Sequence, residues 1–448
     1  MSTAKQGHAQ WSSRMGFVLA ATGSAVGLGN IWKFPYMVGD SGGAAFVFIY
    51  LACIFLIGLP ILVSEWLLGR RGQKNPINTM QEMAAVSGSS KLWVLVGLGG
   101  VLGAFLILSF YSVIGGWSLA YIKDALIGSF AGQDADGIGA LFTGLLASPV
   151  TLIFWHSLFM LLTIGIVARG VTGGLEKAAT LLMPALGVLL LLLVIYGMTT
   201  GGFGQALEFM FKPEWSQVDG GIILAALGHA FFTLSLGMGI MMAYGSYLGE
   251  DVNLLQSART VVIMDTVIAL AAGLAIFPIV FAEGLNLGEG PGLIFVTLPV
   301  AFGNITAGWL VGLAFFVLLT FAAITSAISL LEPVVEFVEE RTPWGRVGST
   351  LVAGCAAWAL GVLALLSFNV LGDFLILGLN VFDLLDTLTS KFFLPLTGLG
   401  VIVFLAWRLD KEAVRKELGL DVYDFSLWNL IVRYLAPVGV IVVFFANL

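Results

Sequence analysis

Two cysteines in 448 residues, Cys53 and Cys355, both lie in apolar runs. This leaves no disulfide framework and no thiolate metal site. Charge is equally sparse: 10% of residues are Asp, Glu, Lys or Arg, while 59% are hydrophobic. Soluble domains carry roughly 25% charge, so no water-soluble fold hides this much apolar surface. Low-complexity tracts and a soluble domain are missing, and no cleavable leader is expected. The polar opening MSTAKQGHAQWSSR runs straight into the first apolar segment. HExxH, GxSxG and paired GxGD aspartates do not occur in the apolar segments, which argues against an intramembrane enzyme. No repeated charged or carbonyl filter argues for a channel. The net charge of −7 decides little, because the placement of charges matters more than their sum, and nucleic acid is not an expected partner.

What is there is a series of apolar runs. A bilayer span needs about 20 mostly apolar residues. Eleven candidates lie near 14–37, 43–69, 92–122, 149–168, 175–198, 221–247, 256–282, 305–338, 348–368, 374–407 and 427–447. The expected class is an all-α polytopic membrane protein with 11 transmembrane helices. Residues 1–13 form a cytoplasmic segment, 14–407 a transmembrane core, 408–426 a cytoplasmic loop and 427–448 the eleventh helix. With the N-terminus placed inside, all Lys and Arg except Lys33, Lys123, Lys212 and Lys391 fall on or beside the cytoplasmic face. The opposite loops carry acids and glycines, as in GQDADGIG (132–139) and AEGLNLGEGPG (282–292). The C-terminus is then outside.

Two spans are broken where they should be most regular. Span 1 contains GSAVGLGNIWKFPY (23–36), with Gly23, Gly27, Gly29 and Pro35. Glycine costs a helix interior about 1 kcal/mol and proline about 3 kcal/mol. Span 6 contains FFTLSLGMGIMMAYGSY (231–247), with Gly237 and Gly239 in its middle. Spans 1–5 and 6–10 then read as two equivalent halves, about 14–198 and 221–407: a 5+5 inverted repeat with unwound helices 1 and 6. Such corresponding interruptions point to a binding site at the bilayer midplane. The alternative is that the glycines only let helices pack closely. Unwinding frees backbone groups that hydrocarbon cannot satisfy. Exposed N–H groups attract a carboxylate, and released carbonyls suit Na⁺ or an ammonium. A zwitterionic amino acid travelling with Na⁺ meets both needs.

These residues resemble the neurotransmitter:sodium symporters. The likeness lies in RMGFVLAATGSAVGLGNIWKFPY (14–36), the GG…GLPILVSEWLLGRRG run (42–72), FFTLSLGMG (231–239) and FAAITSAISLLEP (321–333), and it extends over nearly the whole chain. It implies a bacterial, eleven-helix transporter in the cell inner membrane. The implied activity is sodium-coupled uptake of an amino acid by alternating access, with two sodium ions and no enzymatic reaction. The alternative is a proton-coupled transporter or exchanger of the same fold.

Site roles follow from the resemblance. Ala322, Thr325 and Ser326 share one face of span 8. With Gly23 and Val26 they make one implied sodium site, unless the hydroxyls merely bond back to their own helix. Ala25, Asn30, Thr233 and Asp265 make the other. Asp265 stands where relatives often have Asn, and an intramembrane carboxylate is costly and usually functional. Its fixed charge, and Ala269 in place of a hydroxyl, predict chloride independence. His229 is expected beside Asp265, either as a neutral partner or as a titrating group. The implied substrate pocket comprises Ser24, Ala25, Leu28, Gly29, Ile107, Tyr111, Phe232, Thr233, Ser235, Met238 and Leu330. It has no countercharge for a charged side chain and suits a hydrophobic or aromatic L-amino acid. Implied gate residues are Lys33 with Asp386 on the outside, with Asp383 competing, and Trp11, Tyr247 and Glu340 on the inside. The inner basic partner is His8 or Lys5. The alternative for these charges is ordinary surface pairing. Glu65 is expected to accept bonds from amides at the span 6 break. Gly174 and Pro184 suggest local unwinding of span 5 for sodium release, or a simple kink. The pattern gives Lys391 and Glu332 no role.

Overall fold

In the computed structural model, residues 9–285, 292–305 and 307–446 are described. Among these residues nine helices are long and apolar enough to cross a bilayer, and the bent pair Arg14–Ala25 and Gly29–Asp40 makes ten. The remaining expected crossing, span 6, is two pieces, Gly220–Thr233 and Ile240–Ser246, each too short to cross alone. Spans 2 to 5 are Ala44–Gly72, Lys91–Leu126, Pro149–Val167 and Val171–Met198. Spans 7 to 11 are Leu254–Ala282, Gly308–Arg341, Gly345–Leu366, Val381–Arg408 and Val422–Ala446.

The same order of elements occurs twice. Each half starts with a broken span and a second span of 29 residues. A short helix follows, Pro76–Val86 or Leu293–Asn304, and then the longest span of the half. The fifth span of each half carries a wide π-type turn, at Val171–Glu176 and Leu388–Phe393. Spans 3 and 8 pack along each other, and the first half of span 1 lies against spans 5, 7 and 8. Span 2 receives both halves of span 6. That contact is backbone to backbone: a Cβ on Gly245 would lie 2.6 Å from the Trp66 carbonyl oxygen, so only glycine fits.

Several boundaries differ from expectation. The stretch 408–426 is not an open loop but holds the helix Lys411–Leu418, started by the Asp410 side chain at its N-cap. Arg70 and Arg71 both reach Glu417 on that helix. Span 10 starts at Val381 rather than near 374, because residues 367–380 are turns. Span 5 is not unwound between Gly174 and Pro184. The helix Lys177–Met198 runs continuously through the proline, and only the wide turn containing Gly174 departs from α geometry.

Candidate functional site

Both interruptions are real and meet near the middle of the molecule. Span 1 is bent by 48°. Its first helix ends at Ala25, Val26 is extended, and a π-type turn begins at Gly29. In span 6 the helix stops at Thr233. Ser235, Gly237 and Gly239 then have φ of 54°, 75° and 68°. This left-handed conformation is why glycine recurs in LSLGMG. The freed amide of Gly237 donates to Glu65 Oε1 at 2.7 Å, deep in span 2. The two breaks are tied together by the Ser235 hydroxyl, which donates to the Ser24 carbonyl at 3.0 Å.

A fully buried oxygen cluster sits beside the breaks. Asp265 Oδ1 accepts from Asn30 Nδ2 at 2.8 Å and from the Thr233 hydroxyl at 3.0 Å. Asp265 Oδ2 accepts from the Tyr50 hydroxyl at 3.1 Å. Asn30, Thr233 and Asp265, far apart in sequence, are thus in mutual contact, while Ala25 ends the adjacent helix. Tyr50 is a partner that sequence reasoning missed: one tyrosine in an apolar run signals nothing until its helix is oriented. A carboxylate, an amide oxygen and a hydroxyl in one dry place are hard-ion donors.

The span 8 group is arranged differently. The Thr325 hydroxyl donates to the carbonyls of Ala322 and Phe321 in its own helix. The Ser326 hydroxyl crosses to the Ser24 carbonyl at 3.3 Å. Gly23 abuts Thr325 closely, since a Cβ there would lie 3.2 Å from the Thr325 Cβ. Val26 bonds back to Thr22.

Between the breaks lies a cavity of about 30 Å³ lined by Ser24, Ala25, Gly27, Leu28, Gly29, Ile107, Tyr111, Phe232, Ser235, Met238, Ser326 and Leu330. It holds little more than a water or two in this conformation. Ten of the eleven expected pocket residues line it. Thr233 does not, because its hydroxyl belongs to the Asp265 cluster. The Leu28 amide is directed to the Tyr111 hydroxyl at 3.3 Å. Leu28, Tyr111 and Phe232 also border a second cavity of about 290 Å³, lined by Lys33, Asp383 and Asp386 among others. Tyr111 and Phe232 therefore form the partition between pocket and vestibule.

Lys33 and Asp386 share that vestibule but form no ion pair within 4 Å among the described residues. The Lys33 ammonium instead sits 4.4 Å from the Phe232 ring centroid. His229 also departs from expectation. It makes no bond to Asp265, and neither ring nitrogen has a partner among the described residues. Its ring packs 5.2 Å from that of Tyr50, and it is Tyr50 that reaches the carboxylate.

At the basic end the pathway is closed. The Trp11 indole N–H donates to the Tyr244 carbonyl at 3.0 Å, and its amide donates to the Tyr247 carbonyl at 3.2 Å. The Tyr247 hydroxyl donates to Glu332 at 2.7 Å, and the Arg346 guanidinium grips the same carboxylate with both terminal nitrogens. Glu332 thereby gains a structural role that the sequence pattern did not assign. Among the described residues, Glu340 accepts from Asn75 and Asn78. Lys5 and His8 lie outside the described residues. Glu176, in the wide turn of span 5, accepts from the Ser12 amide and hydroxyl. Trp11→Ala should loosen this end. In a chain lacking Cys53 and Cys355, a cysteine placed at Ser24 is expected to react several-fold faster with an impermeant maleimide added from the basic side. An unchanged rate would show that Trp11 does not seal it.

A helical membrane protein with two broken spans around a small pocket and a buried oxygen cluster is a secondary transporter in its architecture. Residues 8–135 and 145–448 match the sodium:neurotransmitter symporter family. The chain is similar to YhdH, an uncharacterized sodium-dependent transporter of Bacillus subtilis, with 39% identity covering 97% of this chain and 96% of that one. A sodium-dependent transporter of Haemophilus influenzae is 33% identical over the full length of both. The crystal structure of MhsT in complex with L-phenylalanine superposes with a TM-score of 0.90, at 46% identity, over 99% of this chain and all of that one. The chain belongs to the sodium:neurotransmitter symporter family of multi-pass membrane transporters.

Proposed function

We propose that the protein carries a hydrophobic or aromatic L-amino acid into the cell together with two sodium ions, by alternating access and without chloride. The observation that carries this reading is the meeting of both helix breaks at one apolar pocket, flanked by the Asn30–Thr233–Asp265 cluster. The amino acid's carboxylate and ammonium would take the unwound backbone. The side chain would lie among Ile107, Phe232, Met238 and Leu330, where no opposite charge favours a charged residue. Met238 adapts to rings and branched chains. MhsT was crystallised with L-phenylalanine, and the pocket here suits the same class. One ion would sit with Ala25, Asn30, Thr233, Asp265 and the bound carboxylate. The other would sit with Gly23, Val26, Ala322, Thr325 and Ser326, after Thr325 gives up its bond to its own helix. Asp265, held by Tyr50, supplies the negative charge that a chloride ion would otherwise bring. The chain crosses the bacterial inner membrane eleven times, counting span 6 as one crossing, with its basic end in the cytoplasm, its N-terminus inside and its C-terminus outside. The two repeated halves are inverted relative to each other.

The deciding experiment is binding of the twenty amino acids to purified protein in NaCl, sodium gluconate and choline chloride. Hydrophobic and aromatic amino acids should bind equally in both sodium salts and not in choline. Binding that survives choline would instead favour the proton-coupled alternative. Because Tyr50 rather than His229 holds the carboxylate, His229→Gln is expected to leave the pH profile of uptake unchanged. Loss of one limb of that profile would reinstate a proton-carrying His229.

A further inference from the structure

A cavity roomier than the substrate pocket lies beside the pathway. About 400 Å³ lies between the first half of span 6, span 10 and the last helix, reached by Lys33 from span 1. Three nitrogen-bearing side chains line it: Lys33, His229 and Lys391. Among the described lining residues there is no carboxylate, and Lys391 forms no ion pair within 4 Å with any described residue. His229 lends the wall only its carbon edge, because both its nitrogens are buried. The rest of the wall is apolar, with Leu224, Phe231, Leu394 and Val440.

We infer that this cavity is a second ligand site, for a medium-chain alkyl carboxylate. Two ammonium groups select an anion, and the volume and apolar wall select one with a hydrocarbon tail. A bare halide would leave most of the space unfilled. A zwitterionic amino acid would face two lysines with its own ammonium, so the site does not duplicate the transport pocket. Phe232 lines this cavity, the vestibule and the substrate pocket alike. The bound carboxylate would compete with the Phe232 ring for the Lys33 ammonium, one side chain away from the transported amino acid.

The test uses the purified full-length chain in a neutral detergent and needs no transport, so it stands or fails apart from the proposed function. A decanoate analogue with a diazirine at the tail is photolysed, and the labelled peptides are mapped. Labelling is expected on residues 221–232 and 436–446, displaced by decanoate but not by decanol. Lys391→Gln should weaken this labelling about tenfold, the loss expected for one charge-assisted hydrogen bond, while Lys391→Arg retains it. Labelling that decanol displaces equally, or that Lys391→Gln leaves intact, would overturn the site. If Lys391→Gln does not fold, the arginine variant and the decanol competition decide alone.

Discussion

Asp265→Asn is expected to raise the sodium concentration needed for amino-acid binding by about 100-fold or more, because removing one partner from a buried charged site costs about 3–5 kcal/mol. The carboxylate is fully buried and accepts from three side chains, Asn30, Thr233 and Tyr50. An asparagine there keeps the size but turns one acceptor into a donor that faces other donors. More importantly, it leaves bound Na⁺ with no fixed negative charge beside it. A mobile anion reaching the Tyr50 hydroxyl could replace that charge. Binding to the variant should therefore improve when gluconate is exchanged for chloride, whereas binding to the parent chain should not. Measurement of amino-acid binding against sodium concentration in both salts reads both effects. Sodium affinity like that of the parent chain in gluconate would mean that Asp265 does not act on the ion.

Glu65→Leu is the second large change, and it acts on the break rather than on the ligands. The Gly237 amide points away from any helix partner because Gly237 has φ of 75°, and Glu65 Oε1 is its acceptor at 2.7 Å. Both lie in the dry interior, where an amide left without an acceptor costs about 1–3 kcal/mol. The leucine variant should lose amino-acid binding and unfold at lower temperature in detergent. Glu65→Gln keeps one acceptor oxygen at the same reach and should retain most of both. The comparison separates hydrogen bonding from size: equal tolerance of Leu and Gln would show that the break does not depend on this acceptor.

The structure also gives charged residues partners that the sequence pattern does not assign. Lys33 rests on Phe232 instead of pairing with Asp386, and Glu332 is held by Arg346 and Tyr247. Glu340 caps the helix that follows span 2, where Asn75 and Asn78 meet it. Each assignment depends on how far one helix is rotated against another. A single turn of difference along either axis exchanges one partner for the next.

The chain by itself determined the membrane class, the number of apolar runs and the positions at which two of them fail to stay helical. Those properties are local. Hydropathy acts residue by residue, and the glycines of GSAVGLGN and LSLGMG lower the barrier to left-handed or extended backbone wherever they stand. Only the packed structure decided that Tyr50 reaches Asp265, that His229 makes no bond to Asp265, and that span 5 stays helical through Pro184. The reason is that contacts between residues as far apart as Tyr50 and Asp265 require the rotation and depth of every helix, which no periodicity within one helix encodes.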